Sequence, residues 1–409
     1  MHKIERLLQT LAPKGVEFRK LGEVLEYDQP NQYCVTSKEF DKSYPTPVLT
    51  AGKTFILGYT NEKDNIYQAS KSSPVIIFDD FTTATQWVDF PFKVKSSAMK
   101  ILLPKNPTIN IRFIFFYMQT IPYNISGEHT RQWISRYSKI TIPIPPLEIQ
   151  QEIVKVLDAF TELNTELNTE LKARKKQYQY YQNMLLDFND INQNRKDAKE
   201  RLAQKPYPKR LKTLLQTLAP KGVEFRKLGE VCEIIRGKRV TKKEILDKGK
   251  YPVVSGGIGF MGYLNEYNRE ENTITIAQYG TAGFVNWQNQ KFWANDVCFS
   301  LIPNETLIIN RYLYYVLTNK QNYLYSISNR SAIPYSISSN NIMQITIPIP
   351  PLEIQQEIVK ILDQFLALTT DLLAGIPAEI KARKKQYEYY REKLLSFKPL
   401  TPLNNKELA

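Results

Sequence analysis

The sequence predicts an α/β (α+β) protein: two globular mixed domains joined and held apart by two long helices packed as an antiparallel coiled coil. It forms an internal tandem repeat with pseudo-two-fold symmetry. Three observations predict this. Residues 7–24, LLQTLAPKGVEFRKLGEV, return letter for letter at 214–231. ITIPIPPLEIQQEIVK occupies 140–155 and returns at 345–360, and KARKKQY occupies 172–178 and returns at 381–387. Between these frames the stretches 25–139 and 232–344 resemble each other only faintly, so one fold and one partner surface are presented twice around different inserts.

The elements follow in order. The first domain, 1–146, opens with the repeated frame. Its 44–62 segment, YPTPVLTAGKTFILGYTNE, is echoed at 251–266, with Pro47/Pro252, Val48/Val253, Gly52/Gly257, Phe55/Phe260, Gly58/Gly262, Tyr59/Tyr263 and Asn61/Asn265 in common. A strand-like run at 74–78 and a short helix at 111–120 complete it. After Pro143, Pro145 and Pro146 the chain holds no Pro or Gly until Pro206. Proline suits a helix entry because its missing N–H would be unpaired there. Ile153, Leu157, Phe160, Leu167, Leu171, Tyr178, Tyr181, Leu185 and Phe188 recur in steps of three and four, a coiled-coil stripe broken only at Asn164 and Arg174. The resulting arm, 147–188, would be about 60 Å long at ~1.5 Å per residue. Within it TELN-TELN-TEL, 161–171, is either exposed helix filler or a device that sets the arm's length.

Residues 189–213 are polar and charged without an amphipathic period, and read as the linker. The second domain, 214–351, repeats the first, with a strand at 273–277 and a helix at 310–318. The second arm, 352–397, carries the same stripe. Its offset from the first arm grows from 205 at Ile358 to 209 at Tyr387, so four residues are inserted around 374–377. Four is the size of a stutter, and Pro377 should kink or interrupt the helix. Residues 398–409 form a tail.

Composition bounds the function. A chain of 409 residues exceeds one core. Its 25 Tyr and 19 Phe supply apolar area enough for packing. The net charge of +14 points to a polyanion, nucleic acid first and an acidic membrane surface second. The excess is spread: 25–139 holds 13 basic and 10 acidic residues, 232–344 holds 12 and 8, and the frames and linker carry the rest. Cys34, Cys232 and Cys298 form no CxxC pair and no disulfide framework, which implies a reducing compartment. The N-terminus is charged within six residues, and the densest apolar run, 113–118, is too short to cross a bilayer. A soluble cytoplasmic protein with no membrane partner is expected.

The sequence carries no complete catalytic motif. AGKT at 51–54 resembles the end of a phosphate-binding loop, but the first glycine of that motif would fall on Pro47. Two histidines, His2 and His129, and no Cys/His cluster argue against zinc. Asp79-Asp80 and Asp296 stand without a nuclease-like lysine pattern, and no glycine-rich adenosylmethionine loop or base-methyltransferase motif is present. No catalytic, cofactor-binding or metal-binding residue is assigned, so a binding protein is the better reading.

The two LAPKGVEFRKLGEV frames, the two IPIPPLEIQQEIVKxLD segments and the two KARKKQYxYY segments resemble the specificity (S) subunit of Type I restriction–modification systems over nearly the whole chain. The resemblance implies that each insert is a target recognition domain reading one half of a split, asymmetric DNA sequence. It implies no catalysis in this chain, and arms that dock two copies of a methyltransferase subunit, which restriction subunits can join. S-adenosylmethionine, ATP and Mg would belong to those partners. Four-residue repeats in the central arm tune the gap between half-sites in that family, and TELN fits the pattern. The unequal arms depart from strict two-fold symmetry. An arm of about 60 Å spans the roughly 34–36 Å between half-sites one helical turn apart. A stand-alone DNA- or RNA-binding regulator without a methyltransferase partner is the alternative. A single-chain modification or restriction enzyme is a third reading, against which the missing motifs count.

Base reading needs forked or planar donors, Arg to guanine and Asn or Gln to adenine. In the first domain the DNA-binding candidates are Lys53, Gln86, Arg131 and Gln132, the last two in a loop at 127–133. In the second they are Arg236, Lys238 and Arg239 around Gly237, Gln278, Tyr279 and Thr281 around Gly280, and Arg330 in a loop equivalent to that of Arg131. Arg174, Lys175 and Lys176, with Arg383, Lys384 and Lys385, lie too far from the helix ends to serve the dipole. They are candidates for partner docking or for the DNA backbone. Ordinary exposed roles remain open for each.

Overall fold

A computed structural model describes residues 2–51, 54–122, 130–370 and 375–400. It divides into two compact units, Met1–Leu167 with Ile380–Ala409, and Asn168–Glu379. Among the described residues no helix is long and apolar enough to cross a membrane.

The first unit contains α1 (His2–Leu11), β1 (Glu17–Lys20), α2 (Leu21–Val24), β2 (Leu25–Asp28), β3 (Thr46–Leu49), β4 (Ile56–Thr60), β5 (Val75–Asp79), β6 (Thr85–Val88), β7 (Lys93–Val94), β8 (Met99–Pro104), α3 (Ile111–Met118) and β9 (Thr141–Ile144), then the start of α4 (Leu147–Leu186). An antiparallel sheet runs β2-β8-β5-β6, and a smaller one runs β4-β3-β7. β5 reads VIIFD and is buried throughout. Successive side chains point to opposite faces. Ile76 and Phe78 pack with Phe113 and Phe116 of α3, while Val75 and Ile77 pack with Leu49 and Phe92 beside the small sheet. Burial on both faces explains a continuous apolar run where alternation would otherwise be expected.

The second unit repeats this plan. After the end of α4 come α5 (Ala198–Gln204), α6 (Lys209–Leu218), β10 (Glu224–Lys227), β11 (Cys232–Arg236), β12 (Tyr251–Val254), β13 (Tyr263–Leu264), β14 (Thr273–Ala277), β15 (Val285–Gln288), β16 (Trp293–Ala294), β17 (Cys298–Pro303), α7 (Asn310–Asn319), α8 (Gln321–Ser326), α9 (Ser339–Met343), β18 (Thr346–Ile349) and α10 (Leu352–Thr370). The sheets run β11-β17-β14-β15 and β13-β12-β16, the same orders as in the first unit.

The repeated text builds the frames. β1 pairs antiparallel with β9, Phe18 opposite Pro143, and β10 pairs with β18, Phe225 opposite Pro348. The glycine of each PKGV is required: Gly15 (φ +118°) and Gly222 (φ +102°) lie where an added Cβ would meet Lys398 O at 2.7 Å and Ile191 O at 2.4 Å. Those carbonyls belong to strand-like pairs, Val16 N to Lys398 O at 2.9 Å in one unit and Val223 N to Ile191 O at 2.7 Å in the other. Residues 189–193 are therefore to the second frame what 398–400 are to the first.

One expectation changes here. The stretch 189–213 is no open polar connector: Ile191, Leu202, Tyr207 and Leu211 are buried in the second unit's core. Its apolar side chains are spaced by separate docking contacts, which leave no helical period to read. The second arm is interrupted as Pro377 implied: it is two helices, α10 and α11 (Ile376–Leu394), with Pro377 in the first turn of the latter. α4, by contrast, is a single helix of 40 residues. Its start packs on the end of α11 in the first unit, and its end packs on α10 in the second, through Phe160–Tyr390 and Tyr181–Phe365. Both contacts require antiparallel arms.

Each arm is locked to its domain by residues from the repeated text. Gln150 and Gln355 are fully buried. Gln150 Oε1 accepts from Asn110 N at 2.8 Å while its Nε2 donates to Pro145 O at 2.7 Å. Gln355 repeats this with Ile309 N at 2.8 Å and Pro350 O at 2.7 Å. Arg112 reaches Asp158 at 2.8 Å across the face of Trp87, and Arg311 reaches Asp363 at 2.9 Å across Trp287.

Candidate nucleic-acid interface

In the second unit the loops 255–261, 278–281, 294–297 and 329–336 are bonded side by side. Gln278 N donates to Val297 O (2.9 Å), Gly280 N to Tyr335 O (3.0 Å) and Ile337 N to Gln278 O (3.0 Å). Thr281 donates to Gly256 O twice, from its N at 3.0 Å and its Oγ1 at 2.6 Å. Gly256 permits this closeness, since a Cβ there would lie 2.3 Å from Tyr279 O.

The basic turn joins the same cluster. Gly237 N donates to Cys298 O and Lys238 N to Ala294 O, both at 2.9 Å. A Cβ on Gly237 would sit 2.0 Å from Asn295 O, so only glycine lets the turn lie flat there. Asn295 Oδ1 accepts from Val240 N at 3.1 Å. Arg236 donates from Nε to Asp296 O at 2.6 Å, and Lys238 caps the Trp293 ring at 5.9 Å. Arg236, Lys238, Arg239 and Arg330 are all exposed. The structure thus brings the seven second-domain candidates together on one group of loops. Their availability differs. Thr281 spends its hydroxyl on Gly256. Gln278 is half-buried, with an Oε1 that meets no partner among the described residues. Tyr279 is half-buried beside Gly280.

In the first unit Lys53 lies outside the described residues. Gln86 is exposed on the edge strand β6, opposite Ile77. The chain after β3 returns as β4, a hairpin without the helix that a phosphate-binding loop needs. Arg131 is exposed, but Gln132 is 1% exposed and donates to Thr130 O at 2.9 Å. Gln132 therefore supports the loop from inside and is removed from the surface set. The physical reason is Asp80, fully buried, whose O and Oδ1 accept from Gln132 N and Trp133 N at 2.8 Å each. Asp80 is paired with buried Lys100 at 3.7 Å, and burial lowers the Lys100 pKa while Asp80 opposes that shift. Breaking such a buried pair costs several kcal/mol, about 3–5. The sequence reading noted Asp80 only as an isolated acid and passed over Lys100; an Asp directly after the buried strand β5 and a Lys inside its sheet neighbour β8 were the available signal.

The backbone bond Gln132 N to Asp80 O is repeated by Ile337 N to Gln278 O. Arg131 therefore matches Ser336, and Arg330 lies further back in the same loop, its guanidinium over Tyr325 (5.2 Å) and Tyr335 (4.8 Å).

On the arms, Arg174 and Arg383 are half-buried and donate along their own helices to Gln177 and Gln386, both at 3.1 Å. Lys175, Lys176, Lys384 and Lys385 are exposed. Among the described residues they form no ion pair, and no group of His, Cys, Asp and Glu is arranged to hold a metal.

Comparison with known proteins adds family context. A domain model described as the Type I restriction modification DNA specificity domain matches residues 13–176 and 220–382. The specificity subunit of the type I restriction enzyme EcoR124I/EcoR124II from Escherichia coli is 38% identical over 99% of each chain. A putative type I restriction enzyme specificity subunit from Haemophilus influenzae is 29% identical, over 84% of this chain and 85% of its own. The crystal structure of a Type I restriction–modification S subunit from M. genitalium shares the fold. It matches with a TM-score of 0.64 over 93% of this chain and 96% of its own, at 18% identity.

Proposed function

Because the chain belongs to the Type I restriction modification DNA specificity family, we propose that it is the sequence-reading subunit of such a complex. It binds double-stranded DNA at a bipartite, asymmetric target and has no catalytic step of its own. Residues 1–146 and 214–351 are the two target recognition domains, with 147–188 and 352–397 as the arms. Family membership leaves the stand-alone regulator without support. The observation that carries the two-part target is the repeat itself: two units with the same strand orders whose loop residues differ.

Arg131 in the first domain and Arg236, Lys238, Arg239 and Arg330 in the second are the best-placed DNA contacts, as exposed cations on loops braced by backbone bonds. Gln86 and Tyr279 are second choices. Forked Arg donors would read guanine, and Lys238 would hold phosphate.

The partners are two copies of a methyltransferase subunit, with restriction subunits joining them; S-adenosylmethionine, ATP and Mg act there. Two matched grooves support the stoichiometry. One, about 850 Å³, lies between Phe18, Tyr117, Arg391 and Phe397; the other, about 510 Å³, lies between Phe225, Val316, Asn183 and Leu186. Each is walled by a frame strand, the end of the domain helix and the end of an arm. One kind of groove made twice fits one kind of partner bound twice. Lys175, Lys176, Lys384 and Lys385 would contact that partner or the spacer backbone.

The test is selection from random duplexes by the full chain with its methyltransferase subunits. A motif of two short specific blocks separated by a fixed unspecified gap is expected. A single continuous block, or no enrichment, would overturn the reading.

A further inference from the structure

Ile333 is 98% exposed at the tip of the 329–336 loop. The loop is built rather than slack. Asn329 N donates to Ser336 O at 2.7 Å, and Ser336 N returns to Asn329 O at 3.2 Å. Asn329 Oδ1 accepts from Ser331 N at 3.0 Å and from Ala332 N at 3.3 Å. Arg330 packs against Tyr325 and Tyr335. The 255–261 loop, joined to 329–336 through 278–281, also exposes apolar side chains, Ile258 at 69% and Phe260 at 47%. Apolar side chains held out to solvent on braced loops mark an interaction site.

The charge around it identifies the partner. Loops 255–261, 278–281 and 329–336 contain no acidic residue, and the fourth loop of the group, 294–297, carries one, Asp296. Arg330 lies on the tip's own loop. The Arg236–Lys238–Arg239 turn is tied alongside through Asn295, whose side chain also reaches Met261 Sδ at 3.7 Å. An apolar tip on the same loop as Arg330, in a loop group that also carries the basic turn, matches a duplex, whose base faces are apolar and whose backbone is anionic. Side chains such as Ile and Phe wedge between base steps in this setting, partly unstacking them.

Resting on the DNA-reading function above, we propose that Ile333 is a wedge that opens a base step at the half-site read by the second domain, with Ile258 and Phe260 covering the exposed base faces. The second half-site is then read partly through deformability. Steps that unstack cheaply, pyrimidine followed by purine, are favoured where Ile333 enters, without a hydrogen bond to the base.

Permanganate oxidation of unstacked thymines tests this on the selected duplex, bound by the full chain with its methyltransferase subunits. Methyltransferases unstack their own target base, so the informative signal is the one that Ile333 controls. Reactive thymines at one step in or beside the second half-site should be present with the wild type and with Ile333→Phe. They should be absent with Ile333→Ser, which binds roughly tenfold more weakly while protection of the first half-site is kept. At 98% exposure, neither substitution threatens folding. An unchanged oxidation pattern with Ile333→Ser, alongside intact two-part binding, overturns the wedge and leaves the DNA reading standing. Loss of the methyltransferase subunits from the Ile333→Ser complex with unchanged DNA protection also overturns it, and assigns the patch to a protein contact. Absence of any sequence preference in the wild-type complex overturns both.

Discussion

Phe365 lies almost flat on Tyr181, ring centroids 4.8 Å apart and planes 22° apart. Phe160 makes the same contact on Tyr390, at 5.5 Å and 27°. In each unit a Phe from the start of one arm meets a Tyr from the end of the other. Such pairs contribute about 0.5–1.5 kcal/mol beyond the area they bury. A double-mutant cycle of Phe365→Leu with Tyr181→Leu should give a coupling energy of about 1 kcal/mol by chemical denaturation. Additive losses would mean the rings are neighbours without mutual stabilisation.

Gly222→Ala should destabilise the second unit by more than the roughly 1 kcal/mol of an ordinary glycine replacement. The reason is that it combines φ +102° with a Cβ 2.4 Å from Ile191 O. Amide hydrogen exchange should show faster exchange at Val223 and Gln193, whose N–H groups form the strand-like pair. Gly15→Ala should do the same at Val16 and Leu400.

Stability should fall in acid through Glu62. Burial would raise its pKa, but bonds from Lys93, Ser37 and Thr36 outweigh that and hold it at about 2, against an ordinary 4.5. A folded-state pKa below the unfolded one means the contribution is complete above about pH 4.5 and is lost as pH falls toward 2. Urea midpoints measured from pH 5 to 2 should show this slope, and Lys93→Met, which removes the 2.8 Å ion pair, should flatten it.

The two kinds of cation should separate in binding experiments. Arg131→Ala should cost about 1–3 kcal/mol and relax one position of the first half-site, whereas Lys238→Ala should weaken all sequences alike and reduce the salt slope by about 1. Asp80→Asn should mimic Arg131→Ala in part, since Asp80 holds the backbone behind Arg131. Filter binding at several salt concentrations distinguishes these outcomes.

The repeat made the architecture legible. Verbatim text at Gly15/Gly222 and Gln150/Gln355 marks contacts that must be made twice with the same geometry. The stripe gave the arms, and Pro377 gave the break. Residues 189–213 misled because Ile191, Leu202 and Tyr207 dock singly, and single contacts leave no period. The interface was legible only as residue types. Arg236–Arg239 stood out as a basic turn around a glycine, but Gln132 is held inward by the backbone carbonyl of Asp80, 52 positions earlier. A local reading of sequence does not see such a long-range bond. Arg131 and Arg330 lie in matching loops of the two units without matching in position, since the repeated backbone bond aligns Arg131 with Ser336.

The most direct test of the central claim is sequencing of methylated adenine in host DNA with and without this gene. Loss of one split, asymmetric motif on deletion, and its return on complementation, is the expected result. A methylation pattern unchanged by deletion in a host that expresses active methyltransferase subunits would contradict the account.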